Sequence, residues 1–255
     1  MRKFAKVSVV ILLAAVLAWA SDPWKGKPYQ QWDQKDVNKV LNDSPWVSKV
    51  QVTTGSNFGS LPGNPQMGGE PMGGGAPGMG RPGGGAPGMG GQPGGNPDAG
   101  GGPMIGGRET AFEARWISSL TMREALGRLS ELEGKASPAS VEHYLALSPA
   151  NYEIVVISPY MSAFMKTDEA TLAKETYLQM NKVKTKIAPV SVKIDRTADG
   201  KRVVGITFGF PKTVNGKPSI AADENGINLV CQTKEMKLKF HFDPRKMETK
   251  QGSDL

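Results

Sequence analysis

Residues 55–107 carry 23 Gly and 9 Pro in 53 positions. A segment with so little apolar surface cannot offset the entropy of ordering so much glycine, which predicts a disordered Gly/Pro-rich insert. Two ten-residue units, 71–80 and 81–90, end in the same GGGAPGMG, but the glycines lack the three-residue register of a collagen helix. As a coil the segment reaches about 40 Å. Its five methionines (Met67, Met72, Met79, Met89 and Met104) offer thioethers of the kind that suit Cu(I). Their spacings of 5, 7, 10 and 15 form no compact cluster, so the segment reads as a spacer. Any fold must be built from the sequence on either side of it.

Both flanks alternate like half-buried strands. In Trp46–Thr54, Val50 and Val52 alternate with polar residues. In Thr110–Ser118, Phe112, Ala114 and Trp116 alternate with Glu113 and Arg115. The insert is therefore either a linker between two modules or an oversized loop within one sheet. Residues 21–54 are too short a piece to fold alone without disulfides or metal. Replacing a tight loop by 53 residues costs about 2 kcal/mol in closure entropy, which a domain of ordinary stability carries. The expectation is one interrupted domain: 21–54 supplies a helix and a strand, 55–107 is the loop, 108–247 is the main body, and the polar tail 248–255 frays.

Residues 1–20 read as a signal peptide. MRKFAK is a basic start, an apolar run follows, and Ala18-Trp19-Ala20 fits the small-x-small cleavage pattern, so cleavage is expected after Ala20. The run Val7–Ala20 falls short of the about 20 residues that span a bilayer, so no stable membrane span is expected after cleavage. Loss of Arg2, Lys3 and Lys6 leaves 28 basic against 24 acidic residues, a net charge of +4. That mild excess is spread along the chain, without the basic stripe of a nucleic-acid binder.

The other residues form a helix-then-strand series. Asp33 begins a helix with Trp32 and Val37 in staple positions and Asp36 in the first turn. Thr121-Met-Arg-Glu124 reads as a capping box opening a second helix. Ser137 caps a short helix over Pro138–Leu147, and Asp168 to about Lys182 reads as the longest helix. Tyr152–Ser158 is an apolar strand. From Pro189 strands succeed one another across turn signals at Asp199-Gly200, Asn215-Gly216 and Asn225-Gly226. Val204, Ile206, Phe208 and Phe210 share one strand face; Met236, Leu238, Phe240 and Phe242 share another. The fold class is α+β, with helices packed on a mainly antiparallel sheet.

Chemical motifs are sparse. One cysteine, Cys231, excludes an internal disulfide framework and a Cys-based zinc site. His143 and His241 stand 98 residues apart and nominate no metal site or base. No P-loop, nucleophile elbow, zincin or dinucleotide motif occurs, so no cofactor, metal or catalytic residue is nominated. Asp223–Gly226 lacks the later acidic ligand of a calcium loop and reads as a turn. The aromatic cluster Trp24, Tyr29, Trp32 and Trp46 stands out. Exposed, Trp24, Tyr29 and Trp46 would form a binding platform. Buried, they would dock the amino-terminal piece. Trp32 as a staple and Trp116 on an apolar strand face favour burial.

Trp32-x3-Asp36-Val-x2-Val-Leu-x2-Ser44-Pro-Trp46 resembles a motif in a group of exported bacterial proteins with a Gly-rich insert. Arg115-Trp-x-Ser-x-Leu-x2-Arg-Glu-Ala125, Ile187-Ala-Pro, Phe208-Gly-Phe-Pro211 and the Lys-x-Lys-Phe of the last strand extend the similarity. Some relatives are labelled GWxTD-containing, but that pentapeptide is absent here. The resemblance implies export and one interrupted domain, and transfers no activity or site residue. The expectation is an exported, non-catalytic binding or structural protein of the cell envelope, periplasmic or secreted. Its partner would be an envelope protein or glycan. The alternative is a metal-independent hydrolase of envelope material, which a pocket around His143 or His241 would favour.

Overall fold

A strand survives where one face finds a core, and the alternating runs on both sides of the insert find the same one. The computed structural model describes residues 22–54 and 108–255. The expected signal peptide with Ala20, and the insert 55–107, lie outside the described residues. Residues 22–54 and 109–255 belong to one compact unit.

The elements in order are α1 (Pro23–Gly26), a 3-10 turn (Tyr29–Gln31), α2 (Gln34–Asn42), β1 (Val47–Thr54), β2 (Arg108–Trp116), α3 (Leu120–Leu132), α4 (Pro138–Ala146) and β3 (Asn151–Ile157). A second 3-10 turn (Ser162–Phe164), α5 (Glu169–Glu175), β4 (Tyr177–Met180), β5 (Lys186–Ile187), β6 (Ser191–Arg196) and β7 (Val203–Pro211) follow. The chain continues through β8 (Thr213–Val214), β9 (Lys217–Pro218), β10 (Ile227–Gln232), β11 (Lys237–Phe242), β12 (Glu248–Thr249) and β13 (Gly252–Ser253).

The strands form a five-stranded sheet ordered β1-β2-β3-β7-β6, a four-stranded sheet ordered β11-β10-β4-β5, and two short ribbons, β8-β9 and β12-β13. The pairs β2/β3, β3/β7, β6/β7, β10/β11, β4/β10 and β4/β5 are antiparallel. The α+β reading stands, with two principal sheets rather than one. They share a core in which Trp116 of β2 meets Phe242 of β11 edge-on at 5.3 Å. The Trp116 amide donates to the Trp46 carbonyl, setting the end of β2 beside the start of β1.

Several expectations hold locally. Asp33 caps α2 in a reciprocal box with Asp36, and Val37, Val40 and Leu41 are buried beneath it. Phe112, Ala114 and Trp116 are buried on β2, as are Leu238, Phe240 and Phe242 on β11, while Lys237, Lys239 and His241 face out. Asn215 and Gly216 both take positive φ between β8 and β9, the geometry for which Asn-Gly is suited. No helix among the described residues is long and apolar enough to cross a membrane.

Other expectations are corrected. The helix expected from Asp168 to about Lys182 stops at Glu175, and β4 replaces its second half. Leu178 and Met180 are buried there, opposite Leu229 and Ile227 of β10, so pairing overrides helix propensity. Ser119, not Thr121, caps α3: its hydroxyl accepts from the Met122 amide at 3.2 Å, and Thr121 is inside the helix. A bulge at Asp195/Arg196 leaves Val204 without a partner and exposes it, while Val203 turns inward. At Asn225-Gly226 neither residue has positive φ; the buried Glu224 carboxylate shapes that turn by accepting from the amides of Lys182, Asn225 and Gly226. The tail does not fray. Its Asp254 amide donates to the Met247 carbonyl, and Asp254 contacts both Trp46 and the head of α3.

Candidate functional site

A shallow notch lies where α3 meets α4. Arg123, Leu126, Gly127 and Ser130 recur at i, i+3, i+4 and i+7, so they line one stripe of α3. Gly127 lets α4 come close: a Cβ there would sit 2.5 Å from Val141 Cγ1. α4 starts under Ser137, whose hydroxyl accepts from the Ser140 amide, with Pro138 at its first position. The helix ends at Ala146, and the chain turns through Leu147–Pro149 into β3.

Two adjoining depressions result. One, of about 240 Å³, is lined mainly by Leu126, Gly127, Ala136, Val141 and Tyr144. The other, of about 220 Å³, adds Ser118, Arg123, Leu147, Ser148 and Glu153. Leu126 and Tyr144 belong to both. Tyr144 and Leu147 remain 40% and 57% exposed at the rim. Arg123 is only 6% exposed. One guanidinium N–H donates to the Tyr144 carbonyl, and the guanidinium carbon stands 4.7 Å from the centre of the Tyr144 ring.

The head of α3 is fixed by the tail. The Asp254 carboxylate accepts from the Leu120 amide at 2.7 Å and the Thr121 amide at 2.9 Å, two of the donors an α-helix leaves unpaired. Negative charge is favoured at this end of the helix dipole. The Trp46 indole N–H donates to the Asp254 backbone carbonyl at 2.8 Å. Nearby Glu124 is partly buried; that burial, with the Asp254 charge as the lesser cause, pushes its carboxyl up to about 7.

The sequence-nominated aromatics lie elsewhere in role. Trp46 is fully buried, and Trp24 meets it edge-on at 5.6 Å. Tyr29 is buried in the 3-10 turn that packs against α3. The three form the seam that docks residues 22–54, the burial reading of the cluster, and leave no broad ring face for a ligand platform. His143 is exposed on α4. His241 is exposed on β11, where its Nδ1 lies 3.1 Å from Asn228 Oδ1. Neither lines a depression. Cys231 is buried, which pushes its thiol up to about 12. No cluster of three or more His, Cys, Asp or Glu side chains that could hold a metal occurs among the described residues.

Arg123, Tyr144 and Leu147 were not nominated from sequence. The available signal was an arginine on the same helical stripe as Leu126 and Gly127, a charge where an apolar face was expected. The arrangement offers a fixed cation beside apolar surface, which suits binding. No histidine, cysteine or aspartate lines either depression, and the one carboxylate among the lining residues is that of Glu153. Comparison with protein-family models, with curated proteins and with solved structures finds no match to this chain.

Proposed function

We propose that this chain is an exported, non-catalytic binding protein of the cell envelope that docks a protein partner in the α3–α4 notch. The supporting observation is the notch itself: a shallow apolar surface with Tyr144 and Leu147 at its rim and a buried arginine at one end. Aromatic and arginine side chains in such settings supply most of the energy of protein interfaces. The amino-terminal sequence supports export, with the mature chain beginning at Ser21 in the periplasm or the medium.

Two measurements test this reading. Amino-terminal sequencing of the protein from cell fractions is expected to give Ser21 outside the cytoplasm; an intact Met1 in the cytoplasm refutes export. A photo-crosslinking residue placed at Leu147 is expected to trap one protein in living cells, while the same residue at exposed Val214 on β8 traps none. Equal yields from both positions, or no adduct at Leu147, refute docking at the notch.

A further inference from the structure

Among the described residues no acid forms an ion pair with Arg123. A guanidinium is not deprotonated in proteins and offers five N–H donors. Among the described residues no carboxylate oxygen comes within 4.0 Å of it. Its one side-chain hydrogen bond goes to the Tyr144 carbonyl, and the Tyr144 ring covers one face. That carbonyl belongs to the last turn of α4, whose dipole returns only about half a charge. The remaining guanidinium nitrogens are neither bonded nor fully sealed from solvent, and Arg123 lines the notch. Burial of a cation without an anion is costly, and pairing with a carboxylate relieves that cost.

We propose that the notch receives the carboxyl terminus of a partner polypeptide that ends in an apolar residue. Arg123 pairs the terminal carboxylate, and Leu126, Tyr144 and Leu147 take the last side chain. The inference rests on the docking reading above and specifies its ligand. Three observations narrow the class. The guanidinium fork matches a carboxylate in two parallel bonds. Glu153 lines the same depression and repels every anion there, a dianion more than a monoanion, so a singly charged carboxylate is disfavoured less than a phosphate dianion. Leu126 and Tyr144 are shared between the depression that holds Arg123 and its apolar neighbour. Charge and apolar surface therefore lie side by side, as they do on a terminal residue, whose carboxylate and side chain share one Cα.

The test uses the full mature chain and three peptides. These are acetyl-Ala-Leu-Leu with a free carboxyl terminus, its carboxyl-terminal amide, and acetyl-Ala-Leu-Glu amide. NMR titration follows the Arg123 side-chain N–H and the amides of Tyr144 and Leu147. The free acid is expected to shift all three and to bind about tenfold or more tightly than either amide, the value of a hydrogen bond to a charged group. Arg123→Gln abolishes that preference and Arg123→Lys reduces it, because an ammonium cannot form the fork. If these variants fail to fold, the comparison of acid with amide on the natural chain still decides.

Equal binding of acid and amide overturns the carboxylate site while leaving docking intact. Equal binding of the internal glutamate overturns the terminal specificity. No shift with any peptide overturns the inference as well. In that case a positive crosslink at Leu147 keeps the docking reading, and its absence removes both.

Discussion

Removing the Asp254 carboxylate from the head of α3 costs stability, and the cost depends on pH. The perturbation is Asp254→Ala, which deletes the acceptor of the Leu120 and Thr121 amide bonds but leaves the backbone carbonyl for Trp46. Loss of a side-chain cap costs about 0.5–2 kcal/mol, and loss of a negative charge from the dipole a further 0.3–1 kcal/mol or so. With two bonds lost at a partly buried site, the expected cost is about 2 kcal/mol where Glu124 is protonated.

Glu124 changes this at higher pH. Its folded carboxyl titrates near 7, above its ordinary 4.5, so it favours the folded state below 4.5 and that contribution is lost as pH rises through 7. Above that window two carboxylates face each other at the helix head. Asp254 is the smaller cause of the rise, so its share is less than half of the interval from 4.5 to about 7. At 1.36 kcal/mol per pH unit, and discounted because Glu124 is partly exposed, that share is about 1 kcal/mol. Removing Asp254 relieves it. The variant should therefore lose about 2 kcal/mol near pH 5 but only about 1 kcal/mol near pH 8, read from urea unfolding with the slope held common. Glu124→Gln should flatten the difference. A loss of equal or greater size at the higher pH, or no loss at either, refutes the reasoning.

Gly127→Ala adds a methyl 2.5 Å from Val141 Cγ1 on a stiff β-branched side chain; it is expected to cost about 1–3 kcal/mol despite better helix propensity, with Val141→Ala restoring most of it in thermal unfolding. Cys231, buried with its thiol pushed up to about 12, should resist alkylation in the folded protein and label at once in denaturant, so labelling of the native state at a free-thiol rate contradicts its placement. Replacing residues 56–106 with a turn of about four residues should leave a single cooperative transition and raise stability by about 2 kcal/mol, since β1 and β2 are neighbours in one sheet with the start of β1 bonded to the end of β2; two separate transitions in calorimetry would contradict the one-unit fold.

Sequence distance explains what was legible in this fold. The α2 cap needs Asp33 and Asp36, three positions apart, and the β8–β9 turn needs only Asn215-Gly216. Alternation on β2 and β11 is likewise complete within one strand. β4 was misread because its four residues follow α5 directly, and what makes them a strand is β10, about fifty positions later. The tail was misread for the same reason: its composition is polar, but the amides that bind Asp254 stand 134 and 133 positions earlier. Polar composition predicts fraying only when no unpaired helix terminus is waiting for the acid.

The site was less legible than the fold, because it depends on absences that only space reveals. Arg123 in sequence is one of many basic residues, flanked by Glu124 in a way that suggests a solvated helix face. In the structure the charge that bears on the Glu124 carboxyl is that of Asp254 in the tail, another acid rather than the arginine. The guanidinium instead goes under Tyr144, a side chain brought there by the close approach of α4 at Gly127. The neighbour in sequence that could have neutralised Arg123 forms no ion pair with it. The aromatics show the converse: Trp24, Tyr29 and Trp46 cluster in sequence and are consumed by the core, while the aromatic left at the surface notch, Tyr144, stands alone in sequence. Proximity in sequence marked the residues that hold the fold together, and proximity in space set the Arg123 guanidinium beside the Tyr144 ring and carbonyl.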